Sequence, residues 1–202
     1  MERKLLIASN NQGKIREIRC ILKDFDLQIT AQNIFPELKE VKEDGESFQE
    51  NALKKARTRA RETGLLTLAD DSGLEVDYLN GRPGIYSARY AGADADDRDN
   101  YRKLLKEMQG VLFKQRKARF RAVIALVDPK KDQEITVEGS CEGIIVDRPS
   151  GDSGFGYDPV FYLPEYKKTM AEIPAEQKNR ISHRAKALQK LREEIKRRYP
   201  EL

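Results

Sequence analysis

The stretch Leu65-Leu66-Thr67-Leu68-Ala69-Asp70-Asp71-Ser72-Gly73-Leu74 joins an apolar run to two adjacent carboxylates. The apolar run predicts a buried strand, and the Ser72-Gly73 pair predicts a tight turn directly after it. Because burying an unpaired carboxylate is costly, two aspartates at the exit of a strand indicate exposure to solvent, a bound cation, or both. Carboxylate oxygens suit Mg²⁺, which would also relieve the repulsion between the two charges. The stretch therefore fits either a magnesium site or a solvated turn.

Strand and helix patterns alternate along the chain. Apolar and alternating runs predict strands at 3–8, 65–70, 74–78, 119–128 and 134–146. Apolar residues at helical spacing predict helices at 14–24, from Ser47 to about Glu62, from about Tyr101 to Gly110, and after Ser182. Only the turn Asp128-Pro129-Lys130-Lys131 joins the two long strands, so they form an antiparallel hairpin. The order predicts an α/β fold with a long mixed central sheet flanked by helices, as one domain over residues 1–202.

Composition indicates a globular protein with a heavily charged surface. Of 202 residues, 39% are hydrophobic and 36% are charged, and no apolar run is long enough to cross a bilayer. The first residues lead straight into a predicted strand and do not resemble a signal peptide. Cys20 and Cys141 are too few and too far apart for a disulfide framework or a zinc site, and are predicted to be small core or interface residues. These features predict a cytoplasmic protein without a membrane partner.

A second polar motif, Ser9-Asn10-Asn11-Gln12-Gly13-Lys14, follows the first predicted strand and begins the first helix. The N-terminus of a helix presents free backbone N–H groups and the positive end of its dipole to an anion. Gly13 allows close approach of the backbone, and Lys14 adds a positive charge. The motif lacks the first glycine and the final Ser or Thr of a Walker A loop. It fits either a phosphate site or an ordinary turn between strand and helix.

Two further segments carry residue types suited to a nucleotide. The loop Ser150–Pro159 places Phe155 and Tyr157 among glycines, where a ring either stacks on a base or turns inward. The segment Lys178–Arg184 holds the only histidine of the chain, His183, within a cationic cluster at the start of the last helix. An anionic or carbonyl-rich ligand would be favoured there, although lone histidines are more often structural.

Six motifs in this order resemble the inosine triphosphate / XTP-dITP pyrophosphatase family. They are Ser9–Lys14, Ser47–Ala52, Ala69–Leu74, Pro83–Tyr90, Phe155–Pro159 and Ile181–Ala185. The resemblance extends from about residue 5 to about residue 192, and six ordered motifs are far more specific than any one of them. One difference is that Ser9-Asn10-Asn11 stands where the family often has Thr-Gly-Asn.

The resemblance implies two lobes with a nucleotide cleft between them, and a homodimer. It also implies hydrolysis of ITP, dITP and XTP to the monophosphate and pyrophosphate with Mg²⁺, which keeps aberrant purines out of DNA and RNA. Asp71 would be the general base and a Mg²⁺ ligand, supported by Asp70, with Glu40 as a second metal carboxylate. The substrate would be bound by Ser9, Asn10, Asn11, Gln12, Gly13, Lys14, Ser72, Phe155, Gly156, Tyr157, Asp158, Lys178, His183 and Arg184.

Base selection follows from hydrogen-bond chemistry. Donors aimed at O6 accept hypoxanthine or xanthine, whereas the 6-amino group of adenine meets them donor against donor and leaves buried polar groups unpaired. His183 and Arg184 are predicted to supply these donors, because they share the first turn of a helix that Ser182 caps.

Two alternative functions compete with this one. Maf-like pyrophosphatases act on modified or pyrimidine nucleotides, but the Ser182-His183-Arg184 motif and the Phe155–Asp158 loop argue against that class. A nucleic-acid-binding protein would use the basic C-terminal region, where nine Lys or Arg residues face three Glu from residue 178 onward. For the distal half of the C-terminal helix, a solvated helix face is the preferred explanation, and nucleic-acid binding leaves the two aspartates unexplained. We therefore predict no stable nucleic-acid complex.

Overall fold

The computed structural model describes residues 3–201. The strands within that range are β1 (Arg3–Ile7), β2 (Leu27–Ala31), β3 (Leu66–Val76), β4 (Lys117–Asp128), β5 (Gln133–Ile145), β6 (Phe161–Leu163) and β7 (Lys168–Thr169). The α-helices are α1 (Gln12–Ile21), α2 (Phe48–Thr63), α3 (Asp97–Glu107), α4 (Ala175–Ile181) and α5 (His183–Arg198). The predicted alternation of strands and helices is confirmed, and the short elements β2, β6, β7 and α4 add to it.

The strands form one sheet in the order β2-β1-β3-β4-β5-β6-β7. β1 pairs in parallel with both β2 and β3, whereas β5 with β6 and β6 with β7 pair antiparallel. β4 and β5 are neighbours joined only by residues 129–132, a connection too short for a parallel crossover, so they form the predicted hairpin. The α/β fold with a mixed central sheet is therefore confirmed.

β3 is a single strand that passes through both aspartates. The tight turn predicted at Ser72-Gly73 does not form, and Asp70 and Asp71 are buried in the middle of β3 rather than exposed at its exit. This prediction is wrong because burial of a carboxylate is unfavourable only when the charge is unpaired. Cations from distant parts of the sequence meet both aspartates.

The helix termini explain where α1 and α2 begin and end. α1 begins before the predicted residue 14, because the Asn11 side chain caps it by accepting the Lys14 N–H at 3.0 Å. α2 begins as predicted after Ser47, whose hydroxyl accepts the Glu50 N–H at 3.1 Å. Gly64 ends α2 in the left-handed conformation at φ 66°, a conformation that glycine adopts without steric cost.

The described chain divides into two compact units. The first comprises the described parts of Met1–Asp71, Ala122–Gly139 and Arg184–Leu202. Its core packs the apolar faces of α1 and α5 with inward residues of β1, β3 and β4. Ile15 and Ile18 on α1 and Leu188 and Leu191 on α5 are almost completely buried there. Spacings of three residues place each pair on one helix face, as the sequence pattern predicted.

The second unit comprises Ser72–Arg121 and Ser140–His183 and has a core of its own. Leu104 and Met108 of the α3 region and Phe161 of β6 are completely buried in that core. Cys141 is buried on β5, whereas Cys20 is exposed on α1 of the first unit, outside any core. None of the helices within residues 3–201 has the length and apolar character needed to cross a membrane.

Candidate active site

The first polar motif lies at the N-terminus of α1. Ser9, Asn10, Asn11 and Gln12 are partly or fully exposed before and at the first turn of α1. The Ser9 hydroxyl accepts the Asn11 N–H at 3.1 Å, which fixes the turn from β1 into α1. The Lys14 ammonium lies 2.7 Å from Asp70 Oδ1. The structure thus brings the motif to one of the two aspartates of β3.

Asp70 is fully buried and its charge is compensated. Arg184 Nε donates to Asp70 Oδ2 at 2.9 Å, and Arg184 Nη2 donates to Asp70 Oδ1 at 3.3 Å. Burial alone would raise the pKa of Asp70, but the positive charges of Arg184 and Lys14 outweigh burial and hold that pKa far below its usual value. Asp70 is therefore the counter-ion of Arg184 and Lys14.

Arg184 also has a second carboxylate partner. Its Nη1 donates to Glu17 Oε2 at 2.6 Å, and the arginine side chain is only 1% exposed. Burial alone would lower the pKa of Arg184, but Asp70 and Glu17 raise it instead. The guanidinium predicted to contact the purine is thus engaged by two carboxylates of the first unit.

Asp71 has different surroundings, although it is the next residue. The Lys55 ammonium lies 2.8 Å from Asp71 Oδ1 and 3.0 Å from Glu43 Oε1, and it donates to the Asp70 carbonyl at 3.0 Å. Within residues 3–201, no donor reaches the buried Asp71 Oδ2. Burial raises the pKa of Asp71 despite the nearby charges of Lys55 and Lys14. Burial would also raise the pKa of Glu43, but Lys55 lowers it. Asp71 Oδ2 therefore accepts no hydrogen bond from the described residues, and the Asp71 carboxylate binds protons more readily than an ordinary aspartate does.

The residues around Asp71 fit a divalent cation. Three cationic side chains face four carboxylates in the combined cluster, namely Lys14, Lys55 and Arg184 against Glu17, Glu43, Asp70 and Asp71. In the part of the chain described, no group of three or more His, Cys, Asp or Glu side chains gathers for a metal. Mg²⁺ is often held by only one or two carboxylates together with waters and substrate phosphates. The unfilled Asp71 Oδ2 and the adjacent Glu43 provide such a pair. Glu40, the predicted second ligand, is exposed, and within residues 3–201 it forms no ion pair with this cluster.

In the second unit, Asp158 fixes the glycine-rich loop. Its Oδ2 accepts the Phe155 N–H at 2.9 Å and lies 2.6 Å from the buried Lys178 ammonium. Lys178 Nζ also sits 4.7 Å from the centroid of the Phe155 ring. Gly154 has φ 83°, and a Cβ there would lie 2.1 Å from Asp158 Oδ2, so this position requires glycine. The half-buried Phe155 ring is thereby held in a defined orientation beside a cation.

Three other predicted residues of this unit are also anchored. The buried Tyr157 hydroxyl donates to the Ser87 carbonyl at 2.8 Å, and the Gly156 N–H donates to Asp97 Oδ2 at 2.7 Å. The buried His183 ring stacks on Phe120 at 4.8 Å between centroids. Of the two loop aromatics, Tyr157 therefore turns inward, whereas Phe155 stays partly exposed.

Comparison with known proteins identifies the family. The model of the Ham1 family matches residues 5–194. The chain belongs to the Ham1 family. A dITP/XTP pyrophosphatase of Desulforamulus reducens is 53% identical over 196 residues, which cover 97% of this chain and 97% of that relative. A dITP/XTP pyrophosphatase of Bacillus anthracis is 47% identical over 194 residues, which cover 96% of each protein. The family predicted from the six motifs is confirmed.

Solved structures of Ham1 proteins have the same fold. The Staphylococcus aureus Ham1 protein superimposes with a TM-score of 0.85 at 41% identity, over 96% of this chain and 98% of that one. The Ham1 protein of Coxiella burnetii gives a TM-score of 0.85 at 40% identity, over 94% of this chain and 96% of that one.

Sequence reasoning missed three residues of this Ham1-family site. Lys55 and Glu43 surround Asp71, and Glu17 holds Arg184. A signal for Lys55 existed, because it follows the motif Ser47–Ala52 on the predicted helix, four residues after Asn51. No comparable signal separates Glu43 from the neighbouring Glu40 in an acidic segment without regular secondary structure.

Proposed function

We propose that this protein hydrolyses non-standard purine nucleoside triphosphates, ITP, dITP and XTP, to the monophosphate and pyrophosphate. The observation that carries the proposal is the contrast between two adjacent aspartates. Asp70 is fully paired, whereas Asp71 keeps a buried oxygen without a donor and has a raised pKa. A raised pKa makes the Asp71 carboxylate a stronger proton acceptor.

The chemistry requires a water activated for attack and a stabilised leaving group. Asp71 would accept the proton of the attacking water as the general base, and Lys55 would keep the carboxylate in place. Asp71 and Glu43 would hold Mg²⁺, which would neutralise negative charge on the phosphates. Lys14 and the exposed N–H groups at the start of α1 would bind the phosphates.

The base would be selected in the second unit. The partly exposed Phe155 ring offers a stacking surface, and Lys178 lies beside it as a hydrogen-bond donor. His183, which lies five residues after Lys178 in the sequence, adds a polar ring that stacks on Phe120. Donors aimed at O6 would favour 6-keto purines over adenine. A homodimer and a cytoplasmic location are further parts of this proposal.

The nucleic-acid alternative is less well supported by the C-terminal helix. Several of its cations are already engaged by acceptors of the first unit. Arg198 Nε lies 2.9 Å from Glu194, Lys190 donates to the Glu138 carbonyl at 2.8 Å, and Arg192 donates to the Ile21 carbonyl. Cations that are already paired release fewer counter-ions from a phosphate backbone.

Pyrophosphate release from a panel of nucleotides tests the proposed function. ITP and XTP should be hydrolysed much faster than GTP, ATP and dTTP with Mg²⁺, and EDTA should abolish release. Preference for a pyrimidine or a modified nucleotide would support the Maf-like alternative. Absence of turnover together with salt-dependent binding of DNA or RNA would support the nucleic-acid alternative.

Replacing Lys14 by Ala should raise the KM for ITP by roughly tenfold to a hundredfold. A charge-assisted hydrogen bond to an anion is worth about 1.5–3 kcal/mol, which corresponds to that range. Steady-state kinetics on ITP measure the change, and Lys23→Ala, at an exposed position just after α1, is the matched control. Unchanged KM and kcat in Lys14→Ala would show that this ammonium serves only Asp70.

A further inference from the structure

Helix α2 carries a buried polar stripe beside its apolar one. Asn51, Lys55 and Arg59 are spaced by four residues and therefore share a face. They are only 0%, 8% and 2% exposed, although polar and charged side chains are rarely buried without partners. Each of the three has a partner in the segment of residues 32–46, which we term the Glu43 segment, while Lys55 also contacts Asp70 and Asp71 and Arg59 also contacts Glu62.

The stripe fixes the Glu43 segment at successive points. Asn51 Oδ1 accepts the Gly45 N–H at 2.8 Å, and Lys55 Nζ lies 3.0 Å from Glu43 Oε1. Arg59 donates to the Lys39 carbonyl and, at 2.9 Å, to Gln32 Oε1. As α2 advances from residue 51 to residue 59, its contacts move back from residue 45 to residue 32. The segment therefore runs antiparallel to the helix.

The side chains of α2 are the main anchors of this segment. After a short 3₁₀ turn at Gln32–Ile34, the chain forms no helix or strand over residues 35–47, all of which are described. Glu43 thus receives no support from a backbone ladder of its own. The position of its carboxylate depends on the contacts that hold the residues around it.

We propose that Asn51 and Arg59 are positioning residues that hold Glu43 beside Asp71 for the binding of a divalent cation. This inference rests on the proposed function, in which Glu43 and Asp71 are the metal carboxylates. Asn51 fixes the backbone two residues after Glu43, and Arg59 fixes it four residues before Glu43. With both anchors in place, Lys55 meets Glu43 and Asp71 together.

The geometry of Asn51 argues for a positioning role rather than for stability alone. Within residues 3–201, the Asn51 Nδ2 group is buried without a hydrogen-bond partner, which is unfavourable for folding. A leucine of similar size would remove that penalty but also the acceptor of the Gly45 N–H, so the asparagine is explained by its hold on Gly45. The residue opposite Asn51 is a glycine for a steric reason. A Cβ at Gly45 would lie 2.8 Å from Asn51 Oδ1 and 2.8 Å from the Glu50 Cβ. The close approach requires a glycine opposite the amide.

The test is Asn51→Leu, with Asn100→Leu as the matched control. Asn100 is also buried on a helix and also fixes a loop, since its Oδ1 accepts the Ala91 N–H at 2.8 Å and its Nδ2 donates to the Ala88 carbonyl. Hydrogen exchange of the metal-free proteins and Mn²⁺ binding followed by electron paramagnetic resonance are the two measurements. Neither measurement depends on turnover.

Asn51→Leu should bind Mn²⁺ about tenfold more weakly, in the range typical for loss of a group that orients a metal ligand. Amides of residues 43–46 should exchange faster, while the melting temperature stays close to that of the wild type. Asn100→Leu, which loses two satisfied hydrogen bonds, should melt at a lower temperature with unchanged Mn²⁺ affinity. This opposite pattern separates positioning from stability.

Two failures are distinguishable. If the wild-type protein binds no Mn²⁺, the metal site of the proposed function fails and this inference fails with it. If the wild type binds Mn²⁺ and Asn51→Leu binds it equally well, with unchanged exchange over residues 43–46, only the positioning role is overturned. Should Asn51→Leu not fold, Arg59→Met removes the other anchor and must weaken Mn²⁺ binding if the inference holds.

Discussion

Replacing Asp71 by Asn is expected to lower kcat for ITP by roughly 10²–10⁴-fold, the usual contribution of a general base. Asparagine keeps the shape of the side chain but removes its charge and its ability to accept a proton. Lys55, which lies 2.8 Å from Asp71 Oδ1, would keep only Glu43 as a carboxylate partner. Steady-state hydrolysis of ITP with Mg²⁺ measures the loss.

The stability of Asp71→Asn provides the accompanying measurement. Burial raises the pKa of Asp71, so the folded state favours the protonated, neutral form more than the unfolded state does. A neutral residue at position 71 removes this burial cost but also takes one carboxylate partner from the buried Lys55, so the free energy of unfolding should change little. Chemical denaturation tests this expectation. Near-wild-type kcat in a folded Asp71→Asn protein would exclude Asp71 as the base.

Much of the fold was predictable because local patterns decide it. The start of α2 after Ser47, its end at Gly64 and the hairpin of β4 and β5 each depend on residues close together in the sequence. The motif Ser9–Lys14 was likewise placed correctly between a strand and a helix. These elements need no knowledge of tertiary contacts.

The continuous strand β3 could not be predicted in the same way. Two adjacent aspartates predict an exposed turn unless cations compensate them, and those cations are Lys14, Lys55 and Arg184. Each comes from a different element, and Arg184 is 114 residues from Asp70. The same limit explains Glu43, whose role depends on the path of an irregular segment along α2. Spacing in the sequence carries no information on that path.

Replacing Arg184 by Ala is expected to destabilise the protein by about 3–5 kcal/mol, the usual result of removing one partner from a buried ion pair. Arg184 is 1% exposed and pairs with both Asp70 and Glu17. Without it, Asp70 keeps Lys14 as a cation, but its carboxylate remains buried in β3. Chemical denaturation gives the change in the free energy of unfolding.

Arg197→Ala is the matched control, because Arg197 lies on the same helix and pairs with Glu194 at 2.6 Å on the surface. Exposed pairs of this kind contribute at most about 1 kcal/mol. Equal stability of the two variants would show that the pairs of Arg184 with Asp70 and Glu17 do not support the fold.

The ratio of kcat/KM for ITP to that for ATP separately tests the predicted contact of Arg184 with O6. Because a loss of folded protein cancels in this ratio, a narrowing by roughly tenfold to a hundredfold would reveal base recognition. An unchanged ratio would show that Arg184 pairs with Asp70 but does not recognise the base. Base recognition would then have to come from Lys178, His183 and the loop around Phe155.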